Sequence, residues 1–359
     1  MLDRLLSHDL PRNRWLTVML VVIVLALALT PFLFPGTKAL NVAAKILVFI
    51  VLVASFDLLL GYTGIVSFAH TMFFGIGAYG VAIASTRLGP GWSAVALGVA
   101  AALVVSLVLS LVIGLFSLRV KAIFFAMITL AVASAFLTLA SQLSEFTGGE
   151  DGLNFKAPAA LQPGTQYLED PFLGASIDGR FLTYYLLFAA ALLLVLVMLR
   201  IVNSPFGRVL QAIRENDFRA EAIGYRTVVY RTMASVLSAL FATLAGALLA
   251  LWLRYNGPDT SLSFEIMLDI LLIVVIGGMG TIYGAVVGGV LFLLAQSYLQ
   301  DLMKLGASAV SGVPVLSQLI SPDRWLLWLG ILFVLSVYHF PSGVVGRLRA
   351  ATTTPRRRP

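Results

Sequence analysis

The sequence predicts an all-α, polytopic integral membrane protein of about ten transmembrane helices, some broken by glycine, with a further cytoplasmic helix outside the membrane. Three observations carry this. Of 359 residues, 60% are hydrophobic and only 11% charged, whereas soluble domains carry about 25% charged residues. So few charges cannot cover a soluble surface of this length, and the mean hydropathy of +0.97 agrees. Apolar stretches near the roughly 20 residues that a bilayer span needs recur along the chain, and the polar segments between them alternate in charge.

The formal charge of +7 would point to nucleic acid in a soluble protein. Here it has a topological reading, because Lys and Arg collect on the cytoplasmic side of a membrane protein; no nucleic-acid partner is expected, and lipid is the main surroundings. The absence of cysteine excludes a disulfide framework, a thiolate metal site and a cysteine nucleophile. His8, His70 and His339 are too scattered to suggest a ligand cluster, so no metal site is expected.

The spanning stretches fall at roughly 15–35, 40–60, 64–86, 92–117, 122–143, 181–202, 228–253, 264–282, 283–303 and 324–341. The first follows Arg4, Arg12 and Arg14, and Ala26-Leu27-Ala28 resembles a cleavage site. The apolar run is longer than the roughly 7–15 residues of a signal-peptide core, so it is expected to be a retained span. The stretches 64–86 and 264–303 are glycine-interrupted, which makes broken or re-entrant helices an option there.

With the N-terminus placed in the cytoplasm, Arg119, Lys121, Arg208, Arg214, Arg219, Arg226, Arg347, Arg349 and Arg356-Arg357-Arg358 all fall inside. The segment 144–180 falls outside and carries Glu145, Glu150, Asp151, Glu169, Asp170 and Asp178 against Lys156 and Arg180. The bias puts both termini in the cytoplasm, as an even number of spans requires. A cytoplasmic segment over 1–14 and a basic cytoplasmic tail over 344–359 then flank a transmembrane domain over 15–343.

The most informative polar stretch is the cytoplasmic segment 204–227, which continues to Arg231. Ser204 is a good N-cap, Pro205 suits the first helical position, and Gly224 offers a left-handed stop. Phe206, Val209, Leu210, Ile213, Ala220 and Ile223 recur at helical spacing over 205–223, while Arg208, Arg214, Glu215, Asp217, Arg219 and Glu221 occupy the remainder. Two readings fit: a helix lying on anionic lipid, or one held against a cytoplasmic partner. The balance of acids and bases favours the partner.

Four blocks stand out along the chain: the run AIRENDFRAEAIGYR with the span after it, GYTGIVSFAHTMFFGIGAYG at Gly61–Gly80, TGGEDGL at Thr147–Leu153 and IGGMGTIYGAVVGG at Ile276–Gly289. Together they resemble the LivM-type permease subunit of branched-chain amino-acid ABC importers. The resemblance implies a bacterial inner-membrane permease that works by alternating access. It implies a second, LivH-like permease, two cytoplasmic ATPase subunits and an extracytoplasmic substrate-binding protein as partners. It also implies that 204–227 is an ATPase-coupling helix, with Arg208, Arg214, Glu215, Asp217, Glu221 and Gly224 contributing. The chain has no G-x-x-x-x-G-K-[ST] loop, so no cofactor is expected in it; ATP and Mg belong on the partner ATPases. The chain is expected to be a transport subunit and not an enzyme.

Gly280, Gly284 and Gly288 recur every four residues beside Gly277 and Gly278. On one membrane helix this would be a small-residue ridge for close packing; the alternative is that Gly277-Gly278 unwinds the helix and exposes carbonyls to a pathway. Ionisable groups inside spans cost about 2.5–3.5 kcal/mol on insertion scales, which singles out Asp57, His70, Glu265 and Asp269. Asp57 and Glu265 lie near span ends, where interfacial or helix-capping roles compete with function. Thr63, Ser67, His70 and Asp269 are the candidate translocation-pathway residues, each weighed against a purely structural hydrogen bond. The acidic outer loop serves either to dock the binding protein or only as the counterpart of the basic inner loops.

Branched-chain or related amino acids are the expected substrates by resemblance alone. Permeases of the same superfamily for urea, short amides or another small polar solute form the first alternative. An ion-gradient-driven secondary transporter is the second, and a membrane-embedded enzyme ranks last because no catalytic constellation is visible.

Overall fold

A computed structural model describes residues 14–34, 36–117, 122–168, 176–309 and 321–350. The expectations at Arg4, His8, Arg12, Arg119, Lys121, Glu169, Asp170 and Arg356-Arg357-Arg358 lie outside the described residues. The chain is a helical bundle: α1 (Arg14–Leu33), α2 (Thr37–Thr63), α3 (His70–Leu88), α4 (Trp92–Ser117), α5 (Ala122–Gln142), α6 (Gly179–Asn203), α7 (Pro205–Glu215), α8 (Asp217–Ala222), α9 (Thr227–Leu253), α10 (Phe264–Gly277), α11 (Ile282–Ala309), α12 (Trp325–His339) and α13 (Gly343–Ala350). Among the described residues, nine segments are long and apolar enough to cross a membrane.

The tenth expected span, 64–86, is helical only from His70. Its glycines and hydroxyls make α3 less apolar than the nine. It tolerates them because it is buried, packed between α4 and α9 and shielded from lipid. Gly75, Gly77 and Gly80 do not break it. A Cβ on Gly77 would lie 1.8 Å from the Thr243 carbonyl oxygen, and one on Gly246 would lie 1.8 Å from that of Phe74. These glycines bring the α3 and α9 backbones together, as small residues do in membrane bundles.

The interior is built on α2, α3 and α9, which are apolar on nearly every face and buried on most. Helices α1, α4, α5, α6 and α12 surround them and turn large apolar side chains outward, where lipid is the favourable solvent. Pro31 lies inside α1 and has no N–H for the Leu27 carbonyl one turn back. The Tyr184 hydroxyl of α6 donates to that carbonyl at 2.5 Å, and Tyr185 donates to Ala28 O at 2.7 Å. The sequence thus frees an acceptor on one helix and supplies its donor from another.

At the bundle end opposite α7, the polar segment between α5 and α6 begins with a single turn at Ser144–Thr147. Gly148, Gly149 and Gly152 follow with φ of 76°, 64° and 70°, so TGGEDGL is folded into tight turns. They deliver a short strand, β1 (Leu153–Asn154), which pairs antiparallel with β2 (Tyr255–Asn256) just after α9. A Cβ on Gly152 would sit 2.5 Å from the Asn256 carbonyl oxygen, so the loop closes against α9 only because glycine is there. Asp178 then caps α6, its carboxylate accepting from the Phe181 N–H at 2.9 Å.

Replacing Tyr184 with Phe strands the Leu27 carbonyl in an apolar interior. The variant is expected to lose about 1–3 kcal/mol of stability, measured by thermal unfolding in detergent. The loss should shrink in a Pro31→Ala background, where residue 31 can donate to Leu27 itself.

Candidate functional site

The polar segment leaving α6 turns back at once. Ser204 caps α7, its hydroxyl accepting from the Gly207 N–H at 3.4 Å, with Pro205 in the first turn. A Cβ on Gly207 would lie 1.9 Å from the Val202 carbonyl oxygen, so the reversal from α6 into α7 requires glycine. Leu210 and Ile213 turn inward, while Arg208 and Glu215 face outward.

The single helix expected over 205–223 is in fact two, and this corrects the sequence reading. Asn216 is extended at φ −159°, and its side chain accepts from the Arg219 N–H at 2.9 Å, starting α8 afresh. A short polar side chain that caps a new helix has overridden the continuous periodicity. The stop at Gly224 is as expected, with φ of 97° and open space around it.

Five contacts fix α7, α8 and the turn after them to the bundle. Asp217 pairs with Arg231 at 2.9 Å. Phe206 stacks on Tyr230 with centroids 5.8 Å apart, and Tyr225 meets Tyr230 edge-on at 5.7 Å. Glu221 accepts from the Thr227 hydroxyl at 2.7 Å. Arg214 reaches furthest, donating from its guanidinium to the carbonyl oxygen of Gly61 at the end of α2.

Gly61 belongs to a junction of helix ends. One turn earlier on α2, Asp57 is 1% exposed, and its carboxylate accepts from the Gly280 N–H at 2.8 and 3.1 Å. A Cβ on Gly61 would lie 2.1 Å from Asp57 Oδ1 and 2.4 Å from Gly280 N. Gly280 itself has φ of 82°, in a turn that joins α10 to α11. Here too the sequence reading is corrected: Gly280 lies in the turn and is not part of a helical ridge. A repeat of four cannot show where the helix begins.

Gly277, Gly284 and Gly288 do form the close contact expected of small residues. A Cβ on Gly277 would meet the Gly284 carbonyl oxygen at 2.0 Å, and one on Gly288 would meet that of Ile273 at 2.4 Å. Gly278, with φ of 113°, ends α10, and its carbonyl accepts from the Thr281 hydroxyl at 3.1 Å. Three of the sequence blocks, around Gly61, Arg214 and Gly277–Gly284, therefore converge at one end of the bundle.

The four candidate pathway residues do not come together. The Thr63 hydroxyl donates to the Leu59 carbonyl at 2.5 Å, and Ser67 Oγ accepts from the Ala69 N–H at 3.4 Å. His70 is buried, with Nε2 2.8 Å from Ser55 Oγ and its ring edge-on to Phe56. Ser238 Oγ donates to the Ser55 carbonyl at 2.6 Å, tying α9 into the same cluster. Asp269 stands elsewhere, on α10, accepting from Gln296 Nε2 at 3.2 Å; Gln296 Oε1 in turn accepts from Lys45 Nζ at 3.1 Å. These three line a cavity of about 430 Å³, with Glu265 also on its wall.

Sequence reasoning missed Arg231, Gln296 and Lys45. Lys45 carried a usable signal, a charge well inside an apolar stretch; the other two are recognised only through partners distant in sequence. Among the described residues, no three His, Asp or Glu side chains gather as metal ligands would. At the Gly61 end, what the residues form is a junction of helix ends held by buried hydrogen bonds.

Residues 38–337 match the family described as the branched-chain amino acid transport system permease component. The high-affinity branched-chain amino acid transport system permease protein LivM of Salmonella typhimurium is 26% identical over 322 residues, covering 86% of this chain and 74% of that one. LivM of Escherichia coli is 25% identical with the same coverage. A probable branched-chain amino acid transport permease protein LivM of Methanocaldococcus jannaschii is 25% identical over 231 residues, covering 64% of this chain and 61% of the relative. No solved structure matches significantly.

Arg214→Ala removes the tether between the polar segment and α2. Cleavage by a glutamate-specific protease at Glu215 and Glu221 in detergent is expected to accelerate roughly tenfold, as a local opening made easier by ~1.4 kcal/mol would produce. An unchanged cleavage rate would show that the Gly61 contact does not hold the segment.

Proposed function

The chain belongs to the branched-chain amino acid transport system permease family, and from that premise we propose that it is the membrane subunit of an ATP-driven importer. In this reading it pairs with a second, LivH-like permease in the bacterial inner membrane. Two cytoplasmic ATPases lie beneath, and an extracytoplasmic binding protein delivers branched-chain or related amino acids. ATP and Mg are held by the ATPases, and the chain itself performs no chemistry on the solute.

One observation carries this reading. The segment α7–α8 is anchored on one side and bare on the other. Phe218 is 86% exposed and Ile223 67% exposed, beside Glu215 and Arg219 on a short, well-capped element. A lipid-seeking helix would carry such side chains on a continuous apolar face, opposite a uniformly basic one. A protruding aromatic ringed by mixed charges suits a protein pocket instead, because buried aromatics dominate interface energetics. Arg208, Arg214, Glu215, Asp217, Glu221 and Gly224 then divide the work. Arg214, Asp217 and Glu221 hold the element to the bundle, Arg208 and Glu215 face the partner, and Gly224 sets the exit.

The charge pattern supports a cytoplasmic position for this end and for both termini. Arg208, Arg219, Arg226 and Arg347 lie at the end with the polar segment, as the positive-inside bias requires. Closure of the ATPases would push α7–α8 as a unit, and the Arg214–Gly61 bond would pass that movement to α2 and the α10–α11 turn. Alternating access follows if those helices re-aim together.

Phe218→Asp, Glu221→Arg and Gly224→Val are each expected to lower co-purification of the ATPases about tenfold or more, ~1.4 kcal/mol, with membrane insertion intact. Gly224→Val acts through its φ of 97°, which a β-branched residue resists. Normal recovery of the ATPases with all three variants would remove the docking assignment.

A further inference from the structure

At the end of the bundle opposite the glycine junction, α2, α9, α10 and α11 enclose the cavity of about 430 Å³ that holds Asp269. That volume lies within the roughly 300–1,000 Å³ of small-molecule sites. Asn41, Lys45 and Phe49 enter it from α2 at four-residue spacing, one face of one helix. Phe49 and Trp252 give it an apolar wall, and Lys45, Gln296 and Asp269 give it a polar one.

The polar wall is unusual in its order. Lys45 and Asp269 carry opposite charges, but they are joined through the neutral amide of Gln296, which accepts from one and donates to the other. Lys45 Nζ also lies 5.3 Å from the Phe49 ring centroid. Two ionisable groups inside spans are costly, and closing them directly on one another would have been the simplest relief. Held apart by Gln296, they present a cationic and an anionic end to the same space, beside an aromatic wall.

We infer that this cavity is the chain's solute-binding site and takes a zwitterionic α-amino acid with an apolar side chain, carboxylate on Lys45 and ammonium on Asp269. Glu265 adds negative charge at the rim, on the ammonium side. Phe49 and Trp252 receive the side chain, whose burial contributes affinity without direction. The inference rests on the importer reading for its biological sense, but its geometry is independent of any ATPase. Of the four pathway candidates, it keeps Asp269 and leaves Thr63, Ser67 and His70 to the packing of α2, α3 and α9.

The chain contains no cysteine, so Thr260→Cys, on the cavity wall, places a single thiol at the site. The test is the rate at which N-ethylmaleimide labels this variant of the full chain in native membrane vesicles. Leucine at about ten times its Kd should slow labelling roughly tenfold. 4-Methylpentanoate, which lacks the ammonium, and 3-methylbutylamine, which lacks the carboxylate, should not. Adding Lys45→Met or Asp269→Asn should abolish protection by leucine while leaving the unprotected rate unchanged, which also shows that the cavity persists in those variants.

Failure of leucine to protect, or equal protection by either analogue, overturns the inference. ATP-driven leucine uptake measured in the same vesicles separates the two proposals. Uptake without protection removes the cavity assignment and leaves the importer standing. Protection without ATP-driven uptake keeps the cavity and removes the importer.

Discussion

A carboxylate buried at a helix end holds the working part of this molecule together. Asp57 sits almost wholly out of solvent and accepts twice from the N–H of Gly280. An ionisable group is tolerated there only because the turn between α10 and α11 offers it a backbone donor that has no helical partner of its own. The turn in turn needs glycine, since Gly280 is left-handed and Gly61 has no room for a side chain. Arg214 completes the joint by bonding the Gly61 carbonyl from the polar segment. Four residues from three distant stretches thus lock the ends of α2, α10 and α11 and the amphipathic element into one unit.

The same helices line the cavity further along their length. Lys45 lies sixteen positions before Gly61 on α2, about 24 Å along a continuous helix. Asp269 and Gln296 occupy the corresponding reaches of α10 and α11. The joint and the charged wall are therefore connected by continuous helices and not by loops. The glycine contacts of α10 with α11, and of α3 with α9, keep those elements at backbone distance. In the proposed mechanism the polar segment, the joint and the cavity would be successive parts of one lever.

Much of this was legible in the sequence, because the bilayer leaves few options. Composition and span length gave the helical class, and Ser204, Pro205 and Gly224 marked the ends of the polar element correctly. The break at Asn216 was hidden because α7 and α8 keep apolar residues in phase across it; only a cap geometry distinguishes one helix from two. Gly280 was misplaced because spacing alone does not say whether a glycine lies on a helix or before it. His70 stood out as an ionisable group in a span, yet Ser55, which none of the motif blocks includes, satisfies it. Lys45, Gln296 and Asp269 are separated by more than two hundred residues at their widest, so their chain of hydrogen bonds exists only in the fold.

In the proposed mechanism, the Arg214–Gly61 bond couples the α7–α8 element to the helices that bear the proposed solute site. It is tested most directly in proteoliposomes containing the chain with its transport partners, by counting ATP hydrolysed per leucine taken up, with and without Arg214→Ala. Continued ATP hydrolysis with uptake largely lost is expected, because the element still docks but no longer pulls on α2. An unchanged ratio of ATP to leucine would contradict it and would place the coupling elsewhere in the bundle.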